Sequence, residues 1–373
     1  MKRGAVGVLF PAAIACALVG VVTAPQVAAQ GDGAGSLHSE EFGLTVEWTE
    51  RWQAEQATEE GGTVSVNLWD GRAAVILWAA PAFGGDERLC VDNSEWRLGA
   101  DRRVSEVQRA GAVAPVMVSG GASELFRFQF DAEGADEGVD WSRAVWCRTL
   151  QPGHSVLQVE LEARADVFDE ALLAAADVRI TTTDGLAAPE FPLATERDDL
   201  TSYWFQQFTA WGGVPYVPPS YVSFSSPRAT ACDVTSPGDV FYCTGDNAVF
   251  FDTAVIDSMS ARYGRGITVF LLAHETGHHV AWLLGYTAPC ELSQCLTEIN
   301  NVQWELLADC FAGVWMSNAV DRGVLSTTDI EDMLVGVADS FSDVDHGSSA
   351  LRMWWILQGF HLGVDVCVPS DAA

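Results

Sequence analysis

Two hydrophobic periods divide the chain. Between residues 37 and 184 the period is mostly two. Thr63-Val64-Ser65-Val66-Asn67-Leu68 alternates polar and apolar residues, as a half-buried strand does. Asp70-Gly71 follows, a strong hairpin signal, and Ala74-Val75-Ile76-Leu77-Trp78 returns as a second strand. Phe126, Phe128 and Phe130 alternate again, as do Leu157, Val159 and Leu161. At 166–176 the spacing turns helical, with Val167, Phe168, Leu172 and Ala176 on one side. This half predicts an antiparallel sheet with at least one covering helix. Pro189 and Pro192 mark a linker at 185–197. Beyond it the spacing is helical. Leu200, Tyr203, Trp204, Phe205 and Phe208 fall within 198–211, Pro215, Pro218 and Pro219 enforce a loop, and Val249-Phe250-Phe251 is a short extended piece. Helices are predicted at 267–284, 296–320, 328–341 and 348–362. The fold class is α+β: an antiparallel β-sheet domain at 37–184 and a mainly α domain at 198–368.

The first residues change the compartment in which this fold is expected. Lys2 and Arg3 precede an apolar stretch at 4–22, and Val27-Ala28-Ala29 offers small residues before Gln30. That is the pattern of a cleaved secretory signal at 1–29. The alternative is an uncleaved anchor helix, but Pro11 interrupts the apolar run. No later segment is long and apolar enough to span a bilayer, so no stable membrane insertion is expected after cleavage. The formal net charge of −31 repels phosphate and anionic headgroups, which excludes nucleic acid and makes anionic lipid a poor partner. Of nine cysteines, Cys16 leaves with the signal, and the remaining eight are an even number in an oxidising compartment. Cys90–Cys147 pairs if no bridge crosses domains. Short loops favour Cys232–Cys243 and Cys290–Cys295, leaving Cys310–Cys367, although other pairings and a buried free thiol at Cys310 stay open.

One cluster carries chemistry. His274-Glu275-Thr276-Gly277-His278 is an H-E-x-x-H motif inside an apolar run. On a helix, residues four apart share a face, so His274 and His278 can present two imidazoles to one Zn²⁺ while Glu275 holds a metal-bound water. Gly277 weakens a helix by ~1 kcal/mol relative to Ala, so its presence implies a close approach by another element. A catalytic zinc needs a third protein ligand. Glu305 is the first candidate. Asp309, four residues on, can accept a hydrogen bond from a ligand imidazole and fix its tautomer, and Ala308 is small enough for close helix packing. Asp309, Glu298 and Glu291 are the alternative ligands. His279 points about 100° away from His278 and is assigned to packing or to support of a ligand. His154 is expected at the surface, and His361 is given no role.

These residues resemble a known family. His274-Glu275-Thr276-Gly277-His278-His279, followed by Glu305-Leu306-Leu307-Ala308-Asp309-Cys310-Phe311-Ala312-Gly313, is similar to the putative neutral zinc metallopeptidase family. Phe241-Tyr242-Cys243 through Asp246 to Asp252 resembles its F-Y-C-x-x-D…D stretch. His346-Gly347-Ser348-Ser349 through Arg352 to Phe360 resembles its H-G-[ST]-S…R stretch. The resemblance implies a gluzincin-type, zincin-like fold with two zinc histidines, a glutamate ligand and a glutamate base. Thr276 stands where an aromatic residue is usual, and Leu351 where a polar one is. Residues 37–184 resemble small PsbP-like domains in strand order and final helix. The reading that follows is a secreted zinc peptidase acting on peptide or protein substrates. Glu275 is its base. His346 is a candidate oxyanion donor, with Arg352 one to two turns on, and a capping or packing role for His346 is the alternative. Two rivals are a binding protein with a structural or vestigial zinc site and a zinc amidase acting on a non-peptide, cell-wall amide.

Overall fold

The computed structural model describes residues 34–367, apart from 102, 119, 132–137, 213–215, 288–296, 299–300 and 341–345. The proposed signal at 1–29 lies outside the described residues. Among the described residues no helix is long and apolar enough to cross a membrane.

The N-terminal half is built on two antiparallel sheets. Strands β1 (Gly35–Ser39), β2 (Leu44–Trp48) and β10 (Val178–Thr182) form the smaller one, in the order β1-β2-β10. The larger has seven strands: β3 (Gln53–Glu60), β4 (Thr63–Trp69), β5 (Ala73–Pro81), β6 (Val104–Arg109), β7 (Ala122–Phe130), β8 (Val139–Gln151) and β9 (Ser155–Arg164), in the order β3-β4-β5-β9-β8-β7-β6. The alternation in the sequence sets the faces. Val64, Val66 and Leu68 are buried in a core shared with Leu44, Val46 and Phe168, while Ser65 and Asn67 face the other way. The β4–β5 turn closes on Asp70, whose carboxylate accepts the backbone N–H groups of Arg72 and Ala73, each at 2.9 Å. The expected covering helix is α2 (Phe168–Ala174). A second helix, α1 (Glu87–Ala100), lies on the opposite face, capped by Asp86 and tied to β8 by the Cys90–Cys147 disulfide.

Helix α3 (Ala194–Trp211) begins inside the segment expected to link the halves. A small sheet follows, with β11 (Ser220–Phe224) parallel to β13 (Ala248–Asp252) and β12 (Val240–Cys243) antiparallel at its edge. Helices α4 (Thr253–Tyr263), α5 (Arg265–Leu283), α6 (Asn301–Asp321), α7 (Thr327–Ser340) and α8 (Ser349–Leu362) complete the chain. Helix α6 starts later than the expected residue 296, because residues 297–298 pair instead as a short parallel strand with 286–287. Glycines let the helices meet. A Cβ on Gly277 would lie 2.6 Å from the Ala308 carbonyl oxygen, and one on Gly359 would collide with the Cys310 carbonyl. Helix α6 is thus clamped between α5 and α8, the close approach expected at Gly277 and Ala308. Disulfides Cys232–Cys243 and Cys310–Cys367 form as expected, so Cys310 is not a free thiol. Cys290 and Cys295 lie outside the described residues.

The halves are joined by backbone hydrogen bonds. Phe83 N–H donates to the Asp246 carbonyl at 2.9 Å, and Ala229 N–H to the Gly61 carbonyl at 3.1 Å. His154 corrects an expectation: it is only 5% exposed. Its carbonyl accepts from Ala82 N–H at 3.0 Å and from the Ser220 hydroxyl. His154 is buried at the end of the β8–β9 turn because the C-terminal half packs beside it, and a partner at that sequence distance leaves no local sign.

Candidate metal centre

Helix α5 is buried along its whole length from Gly266 to Ala281. Two imidazoles and a carboxylate in such a helix are costly unless partnered. Their partner is α6. His274 Nε2 lies 3.0 Å from Glu305 Oε2, and His278 Nε2 lies 3.5 Å from Glu305 Oε1. The helical spacing sets the two rings edge to face with centroids 4.7 Å apart, and the candidate ligand atoms of His274, His278 and Glu305 all fall within 4.8 Å of one another. Trp304 backs this face, stacked on His278 at 4.8 Å. One turn along α6, Asp309 Oδ1 lies 2.9 Å from His274 Nδ1. Arg352 of α8 then holds Asp309 from below, donating from Nε and Nη2 at 2.8 and 2.7 Å. The chain Arg352–Asp309–His274–Glu305 fixes the ring so that Nε2 faces Glu305.

The charges are strongly perturbed. Burial opposes the charge on Glu305, but His278 and His274 outweigh it and hold the carboxyl far below its usual range. Burial also disfavours a charged His274, yet Asp309 and Glu305 raise it to about 10. Burial lowers His278 against the pull of Glu305, and its Nδ1 finds no hydrogen-bond partner. Two imidazoles and a carboxylate converging in this way are the donor set of a catalytic zinc site, so the residues present fit the metal. Glu275 is 6% exposed and is pushed up to about 8 by burial, with Glu305 adding to the rise. Its carboxylate accepts the backbone N–H of Tyr242, on the edge strand β12.

The other candidates separate. The His346 Nε2 lies 3.6 Å from Glu305 Oε2, with its side chain 42% exposed, so the structure brings it to the mouth of the site. The Arg352 guanidinium, one to two turns beyond His346, is buried and engaged with Asp309. Asp309 itself lies behind His274. Glu291 lies outside the described residues, and Glu298 falls in the short strand preceding α6. His279 packs between Tyr242 Oη at 3.1 Å and the Val217 carbonyl at 2.8 Å, and burial pushes it down to about 3. The Thr276 hydroxyl donates to the Leu272 carbonyl and touches Tyr221 Oη, so this departure from the family pattern faces the small sheet. His361 sits exposed in the last turn of α8. Sequence reasoning missed Trp304 and the Tyr242 N–H, although the F-Y-C stretch and the residue before Glu305 both held the signal.

Known proteins match the C-terminal half, in which these residues lie. Residues 193–368 match the family described as putative neutral zinc metallopeptidase. The uncharacterised protein YpfJ of Escherichia coli is 36% identical over 197 residues, covering 46% of this chain and 66% of YpfJ. The uncharacterised protein Rv2575 of Mycobacterium tuberculosis is 30% identical over 188 residues, covering 42% of this chain and 64% of that protein. The chain therefore spans just under two thirds of the length of these relatives. A crystal structure from Bacteroides thetaiotaomicron aligns at 12% identity and a TM-score of 0.23, over 48% of this chain and 62% of that one, which is too low to bear on the fold.

Proposed function

From a C-terminal half that matches the zinc metallopeptidase family at residues 193–368, we propose that the protein is a secreted zinc peptidase. The observation that carries the reading is the convergence of His274, His278 and Glu305 beside a buried Glu275. Zinc held by His274, His278 and Glu305 would lower the pKa of a bound water from 15.7 towards 7. Glu275 takes the water proton as the scissile carbonyl is attacked, then passes it to the leaving amine. His346, at the mouth, donates to the carbonyl oxygen as that atom becomes an oxyanion. Asp309 orients His274, and Arg352 positions Asp309. A structural zinc site has no use for a buried carboxylate at 275, which disfavours the binding-protein alternative. The disulfides Cys90–Cys147, Cys232–Cys243 and Cys310–Cys367 support an oxidising, extracytoplasmic location.

The test is incubation of the zinc-loaded protein, without residues 1–29, with a peptide library read by mass spectrometry. Cleavage that vanishes with a chelator and in His274→Ala is expected. Hydrolysis of a cell-wall amide alone, or cleavage that survives His274→Ala, overturns the proposal.

A further inference from the structure

The face of the seven-stranded sheet that carries α1 is partly open at β3 to β5. On the open face, Asn67 of β4 stands opposite Gln56 of β3 and Ile76 of β5, and Ser65 opposite Trp78. Helix α1 packs on this face over β6 to β9. The C-terminal half supplies the remaining wall through residues 229–232 and the β12–β13 turn at 244–246. Together they enclose a cavity of about 440 Å³, within the range of small-ligand sites.

The chemistry of its lining is unusual for a gap between packed parts. Two indoles, Trp78 and Trp96, face it, and Trp96 is 42% exposed. Asn67 and Asn93 add side-chain amides, and Arg97 and Asp246 add opposite charges from the two halves. Asp246 is 3% exposed. Its Oδ2 accepts the Ala231 N–H at 2.8 Å, and among the described residues its buried Oδ1 has no hydrogen-bond partner. Leaving such an oxygen unpaired costs roughly 1–3 kcal/mol, a cost that a ligand donor reaching the Asp246 carboxylate would offset.

We propose that this cavity binds a short neutral oligosaccharide. Indole faces stack on the C–H face of a sugar ring. Each sugar hydroxyl is both donor and acceptor, and amides, a guanidinium and a carboxylate satisfy both roles. The strongly negative chain disfavours a polyanionic ligand. A peptide recognised by strand addition needs a free strand edge, whereas the floor here is the face of a sheet. The site lies apart from the zinc ligands and does not depend on the peptidase reading.

The test is calorimetric titration of the protein, without residues 1–29, with the β-1,4-linked tetrasaccharides of N-acetylglucosamine and of glucose and with maltotetraose. Tetra-alanine is the comparison ligand. Saturable binding of at least one glycan is expected, weakened at least tenfold by Trp96→Ala and by Asp246→Asn, with zinc content unchanged. Binding that both variants leave intact overturns the proposal, as does the absence of saturable binding by all three glycans. Trp96-dependent binding of tetra-alanine would make the cavity a peptide site instead.

Discussion

Each half of the molecule buries a cluster of charged side chains, and the two clusters balance differently. Under α1, Arg143 lies 3.7 Å from Glu160 and 2.8 Å from Glu162. Ser94 and Gln158 each donate to Glu160 at 2.6 Å, and Arg97 stands 3.8 Å away. Burial works against the Arg143 charge, but Glu160 and Glu162 hold it protonated. Two carboxylates meet two guanidiniums, and the cluster is closed. At the metal centre Arg352 holds Asp309 through Nε and Nη2, and His274 stands between Asp309 and Glu305. Glu305 is left with two imidazoles. Buried charge alone is therefore no mark of function. The mark is a set of donor atoms, two imidazoles and a carboxylate, converging on one point as a divalent cation requires.

The largest break in this comparison is Glu305→Ala. It removes the ligand that both imidazoles face, so metal analysis should find the zinc lost and hydrolysis gone. The matching change in the closed cluster, Arg143→Met, takes the guanidinium from buried Glu162 and leaves Glu160 with Arg97, Ser94 and Gln158. It should cost about 3–5 kcal/mol of stability, read by denaturant unfolding, while zinc content stays at the wild-type value. Next comes the joint between the halves. Burial, reinforced by Arg228, lowers the folded pKa of His154 to about 4. Its stabilising contribution is therefore full above the unfolded value near 6.5 and is lost as pH falls towards 4. On metal-free protein this should amount to about 3 kcal/mol, and His154→Gln should flatten that part of the profile. The smallest effect is Asp309→Asn. It keeps every zinc ligand but weakens the hold on His274, so zinc affinity should fall by about 10–100-fold, measured by competition with a chelator.

The zinc helix was legible because its signal is local. The four-residue spacing of His274 and His278 needs only a helix, and Gly277 in an apolar run had no use other than close packing against Ala308. The strands were legible from period-two alternation around Asp70-Gly71. Helix α1 was not, because its buried side is short and mixed: Cys90, Val91 and Leu98 pack on Phe126 and Phe128, with Ser94 bonded to Glu160 among them. The third ligand stayed open among Glu305, Asp309, Glu298 and Glu291, since spacing cannot say which carboxylate reaches across to α5. His154 was misread for the same reason: the Ser220 hydroxyl that bonds its carbonyl lies far along the chain.

The most direct measurement is a paired determination of zinc content and peptide hydrolysis for the wild type and Glu275→Gln. The account predicts one zinc per chain in both proteins, with hydrolysis reduced in the variant by about 10²–10⁴-fold, the usual contribution of a general base. Hydrolysis at the wild-type rate in Glu275→Gln, or a wild type that holds no zinc after loading, would contradict it.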